Sequence, residues 1–102
     1  MSLSSLATAH QIDSNMQEKL MSGGNKYSFD FRNDFEVDAL KNLIEGEIKI
    51  KVLIDPSVEV KRISHLHLQN VSFLDYLYQG ADSLNLKAVQ QGKNQILLVP
   101  KY

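Results

Sequence analysis

From Tyr27 to Pro100 the spacing of apolar residues switches back and forth between two periods, and this alternation restricts the fold more than any other feature. Tyr27, Phe29 and Phe31 alternate with Ser28, Asp30 and Arg32, the pattern of a strand with one buried face. Val37, Leu40, Leu43 and Ile44 then recur at helical spacing. Asn33 with Glu36 reads as a capping box before that helix, and Gly46 as its stop. Ile48, Ile50, Val52 and Ile54 alternate with Lys49, Lys51 and Leu53, predicting a second strand. Asp55-Pro56 closes it, because proline has no N–H to give a ladder. Ser64, Leu66 and Leu68 alternate with Ile63, His65 and His67 as a third strand.

Ser72 and Asp75 form a capping box for a second helix, whose predicted stripe is Leu74, Leu77, Tyr78 and Ala81. Gly80 weakens it by about 1 kcal/mol relative to alanine, so the helix is expected to be short or to fray near its end. Leu84, Leu86 and Ala88 give a fourth strand, Gln91-Gly92-Lys93-Asn94 a hairpin turn, and Ile96–Val99 a fifth. The order is β-α-β-β-α-β-β, an α+β body over residues 27–102. Every strand but the last keeps one polar face, as sheets do when helices cover one side and water the other.

Residues 1–26 read as an N-terminal tail with a short helix near 12–21. Residues 1–11 are small and polar without periodicity, and are expected to be mobile. Ile12, Met16 and Leu20 make one helical stripe, ended by Ser22-Gly23-Gly24-Asn25. A helix of about ten residues is marginal alone in water, so its stripe must dock, on the body in preference to a partner.

The composition excludes several classes of chemistry. The 102 residues leave room for one domain, and 43% hydrophobic with 23% charged residues is an ordinary globular balance. Eleven basic against twelve acidic residues argue against a general nucleic-acid binder, which needs surplus cations to displace counterions. The charge is uneven: residues 1–60 carry six basic and ten acidic side chains, residues 61–102 five and two. The absence of cysteine rules out disulfides, zinc–thiolate sites and thiol nucleophiles. The longest aliphatic run, Ile96–Val99, is far below the roughly 20 residues that cross a bilayer. Met1–His10 lacks the basic head and apolar stretch of a signal peptide, so an exported protein would carry its signal outside this chain.

His65 and His67 leave one face of a strand, as a metal pair would, but a site needs a third ligand. They read as a solvated or partner-facing polar pair. Lys49 and Lys51 also share a face, and the usual work of such lysines is to guard a sheet against unwanted pairing. A basic recognition face joining Lys49, Lys51, His65 and His67 is the sharper reading of partner binding. Glu45-Gly46-Glu47 on a helix-ending turn is expected to be solvated, without the burial that shifts a carboxyl pKa. No nucleophile elbow accompanies the histidines, and Gly23-Gly24 lacks the spacing of a phosphate cradle. Tyr27, Phe29 and Phe31 suit core packing better than base stacking. The residues point to no catalytic, cofactor or metal site, and hence to a protein that is not an enzyme.

The series Phe29-x-Phe31, Val37-x-x-Leu40, Val52-x-Ile54-Asp55-Pro56-x-Val58, Leu66-x-Leu68-x-Asn70-Val71-Ser72, Leu77, Leu84 and Gly92-x-Asn94-x-Ile96-x-x-Val99-Pro100 resembles the secretin and TonB short N-terminal domain over about residues 27–100. Its most specific part is Asp-Pro after the second strand combined with Asn-Val-Ser opening the second helix. Ala81 and Lys61-Arg62 depart from the family's usual pattern. The resemblance implies two helices packed between a two-stranded and a three-stranded sheet. It also implies a non-catalytic interaction module in the periplasm, contacting envelope proteins or neighbouring subunits of a ring, with no small-molecule substrate. The hosts it implies are a secretin-type secretion or pilus channel, a TonB-dependent signalling receptor, or the C-terminal end of an anti-sigma regulator. A small nucleic-acid-binding α/β domain is the alternative, since β-α-β-β-α order also occurs in RNA modules.

Overall fold

A computed structural model describes residues 9–59 and 61–101. Two short elements come first, β1 (Ala9–His10) and α1 (Ser14–Met21). The body follows in the expected order: β2 (Tyr27–Phe35), α2 (Val37–Ile48), β3 (Lys51–Ile54), β4 (Ser64–Val71), α3 (Phe73–Ser83), β5 (Leu86–Gln91) and β6 (Gln95–Pro100). β2 and β4 make an antiparallel two-stranded sheet. In the second sheet β5 and β6 form the hairpin, β3 joins β6 in parallel, and the two residues of β1 add to β5 opposite Gln90 and Gln91. α3 packs on β4 of one sheet and β5 of the other, and on α2, which packs on β3. The helices are thus the middle layer between the sheets.

Aromatic residues join the small sheet to the helices. Phe29 lies flat on Tyr76, with ring centroids 4.2 Å apart, and meets Phe73 edge-on at 5.6 Å. Tyr27 packs on Phe73 at 4.5 Å. The rings of β2 therefore face α3, as core packing requires. The Tyr76 hydroxyl donates to the Ala39 carbonyl, and burial pushes its pKa far up, so it serves as a neutral tie between the helices.

Several boundaries differ from those read in the sequence. β2 runs on to Phe35, which is fully buried, and no capping box forms: Glu36 is the N-cap residue without a side-chain hydrogen bond. Five residues of β2, from Phe31 to Phe35, lie opposite only three of β4, from Leu66 to Ser64, and this irregularity absorbs the polar Asn33. α2 passes through Gly46 to Ile48 and ends at Lys49 in the left-handed region (φ 67°). Ile48 lies one turn beyond Ile44 and both are buried, so packing outweighs the roughly 1 kcal/mol glycine penalty. The second strand accordingly starts at Lys51. Leu84 is buried but caps α3, and the fourth strand starts only at Leu86, after Asn85 in the left-handed region (φ 60°).

The buried stripe of α3 is Phe73, Tyr76, Leu77, Gly80 and Ala81, while Tyr78 is exposed. Gly80 marks a close approach instead of a frayed end. A Cβ there would sit 2.9 Å from Cζ of Phe35 and 3.1 Å from Cδ1 of Leu40. Ser72 caps the helix as expected, its Oγ accepting from the Asp75 N–H.

α1 docks on the body. Ile12, Met16 and Leu20 are all buried, and the helix packs against α3. Its N-cap Asp13 is held by the buried Gln90 of β5: Oε1 accepts the Asp13 N–H at 2.8 Å, and Nε2 donates to Asp13 Oδ2 and to the Gly92 carbonyl. Buried amides need such full satisfaction. Ala9 and His10, placed by the sequence in a mobile tail, are paired to β5; residues 1–8 lie outside the described residues.

Candidate functional site

The four residues singled out for partner binding do not form one surface. His65 and His67 are exposed on the outer face of β4, where alternation puts them. Lys51 is exposed at the start of β3, in the other sheet. Lys49 is exposed too, but as the left-handed cap of α2 it belongs to no strand. The helical layer separates the histidine pair from Lys51, so a continuous basic face is not built.

The histidines instead belong to a groove. Among the described residues β4 pairs with β2 on one side only. Beside its other edge, His65, Leu66, His67 and Leu68 line a groove of about 680 Å³ with Tyr78, Gln79, Asp82 and Ser83 of α3. Tyr78, 42% exposed, supplies an aromatic wall. Asp82 at the far side pairs with Lys101. His67 Nδ1 lies 3.4 Å from Oδ1 of Asp30, its cross-strand neighbour in β2. Both side chains are more than half exposed, so such a pair contributes at most about 1 kcal/mol. Among the described residues no three His, Asp or Glu side chains are grouped to hold a metal ion.

The edge of β3 is occupied differently. The amides of Lys51 and Asp55 donate towards β6, to the carbonyls of Asn94 and Leu98, so the Val52 amide points off the opposite edge. There Glu45 of α2 takes it: Oε2 accepts the Val52 N–H at 2.8 Å, and Oε1 accepts from Lys41 at 2.9 Å. These contacts, the Val52 amide first, hold the Glu45 carboxyl below its usual pKa. Glu45 is half-buried and structurally bound, a correction to the solvated turn expected from the sequence, while Glu47 is exposed. A carboxylate on an edge amide closes that edge to a further strand. No sequence signal singled out Glu45 for this task, because its partner amide lies seven residues on in a strand whose neighbours were unknown.

No family model matches the sequence, and no curated protein matches it either. Among the described residues no helix is long and apolar enough to cross a membrane.

Proposed function

We propose that this chain is a protein–protein interaction module without catalytic chemistry, of the secretin and TonB short N-terminal type, working in the periplasm as part of a cell-envelope assembly. The hosts that fit are a secretin-type channel and a TonB-dependent signalling receptor, with the C-terminal domain of an anti-sigma regulator as the second choice. Support comes from the two-sheet architecture around a pair of helices, which is what the resemblance implies. The observation that carries the reading is the contrast between edges: Glu45 caps the Val52 amide of β3, whereas β4 borders an open groove. A partner segment lying along β4 would gain main-chain hydrogen bonds from the strand and side-chain contacts from Leu66, Leu68 and Tyr78.

A photo-crosslinking side chain in place of His67 tests this in envelope extracts. Crosslinks to a defined envelope protein are expected, with none from the same group at Lys49. Crosslinks to RNA, together with a salt-dependent gel shift of single-stranded RNA, would favour the nucleic-acid alternative instead.

A further inference from the structure

The outer face of the larger sheet breaks the rule that the remaining strands obey. Of its inward residues, Val52, Leu86, Ile96 and Leu98 are buried, and Ile54 and Ala88 pack partly buried against the core. On the opposite side Leu53, Leu97 and Val89 stand in one lateral row, since Leu53 pairs with Leu97 and Leu97 with Val89. Val99 follows on β6, opposite Lys87. These four apolar side chains remain partly exposed and are no part of the core cluster. At one end of the row Lys51 pairs with Gln95, and Gln91 follows on β5. At the other end the ladder continues to Asp55, whose N–H reaches the Leu98 carbonyl, so Asp55 takes the outward place beside Val99. Contiguous apolar surface rimmed by polar residues marks an interaction surface.

We propose that a second copy of this chain covers this face, sheet against sheet, about a two-fold axis running along β6. The pattern is complementary to itself under that rotation. Leu97 meets Leu97, Val99 meets Val99, and Leu53 of each copy meets Val89 of the other. The same rotation sets Asp55 of each copy against Lys87 of the other, twice, and Lys51 against Gln91. Asp55 is ready for that pairing: its Oδ1 accepts from both the hydroxyl and the N–H of Ser57, which hold the carboxyl below its usual pKa, and no hydrogen bond to Oδ2 is formed among the described residues. Lys87 is exposed and has no ion-pair partner among the described residues. Two sheets packed this way bury apolar rows at the centre and place the charges on the rim, the usual anatomy of an interface between copies. This inference is independent of the β4 groove, which lies on the other sheet.

The chain has no cysteine, so single-cysteine variants report contacts cleanly. Leu97→Cys lies on the proposed axis and is expected to form a disulfide-linked dimer under mild oxidation, far faster than Ser28→Cys on the smaller sheet. Sedimentation of the unmodified chain is expected to show a monomer–dimer equilibrium. Asp55→Lys is expected to weaken the dimer by about ten-fold by setting like charges together, and Asp55→Lys with Lys87→Asp to restore it. Equal crosslinking at positions 97 and 28, a monomer at every concentration, or no restoration by the double exchange would each overturn the proposal.

Discussion

The two helical glycines of this chain allow one substitution to be tested in two surroundings. Gly46 lies in α2 and Gly80 in α3, and replacing either with alanine removes the same backbone freedom. In an open helix that change stabilises by about 1 kcal/mol. Around Gly46 a new Cβ would meet nothing within 4 Å among the described residues, so the full gain is expected. Around Gly80 the Cβ would press on Phe35 at 2.9 and 3.3 Å and on Leu40 at 3.1 Å. Neither neighbour has room to retreat, because Phe35 and Leu40 are completely buried and Phe35 also packs on Phe31 and Tyr76. Overpacking of this kind costs about 1–3 kcal/mol. Set against the helical gain, the middle of that range leaves Gly80→Ala about 1 kcal/mol less stable than the parent, and about 2 kcal/mol below Gly46→Ala. Denaturant unfolding resolves a gap of that size, and thermal unfolding would separate the two variants by about 10 °C. Equal stabilisation by both substitutions would refute the close approach of α3 to Phe35.

Two further perturbations address the polar ties. Because the folded pKa of Glu45 is depressed, its contribution is present above its unfolded value near 4.5 and is lost as pH falls through the folded value. As pH falls from about 5 through that folded value the parent should therefore lose stability more steeply than Glu45→Gln, as read from unfolding midpoints; parallel curves would count against the Val52 contact. Gln90→Ala leaves the Asp13 N–H without its acceptor and should destabilise by about 1–3 kcal/mol. Its signature is faster hydrogen exchange at the amides of α1 with β4 unchanged, and uniform protection across the chain would contradict it.

Local periodicity gave access to the elements whose burial has a single solution. The stripe Ile12, Met16 and Leu20, the alternation of β4 and the Ser72 cap all depend on neighbours close in sequence. Ile48 was ambiguous because it fits both periods, one turn from Ile44 and two residues from Ile50, and only the packing of α2 decides. Phe35 stayed hidden because Asn33 interrupts the alternation at the place where β2 carries extra residues relative to β4. Tyr78 looked like part of a core stripe until Gly80 proved to be the contact surface, which rotates the buried face towards Tyr76. In the same way His65 and His67 were legible as a pair on one face, but their groove depends on α3. Glu45 and Gln90 acquire their roles from partners in other elements, and Gln90 holds a residue 77 positions away.

That distant hold moves the start of the folding unit upstream of its long strands. A piece begun at Tyr27 would keep every element of the body yet leave the side of α3 that α1 covers open to water. Ile12, Met16 and Leu20 together contribute about 5–8 kcal/mol of burial, a large share of the 5–15 kcal/mol by which domains of this size hold together. Transplanting the module into another scaffold, or trimming it for expression, therefore means carrying the chain from Ala9 onward.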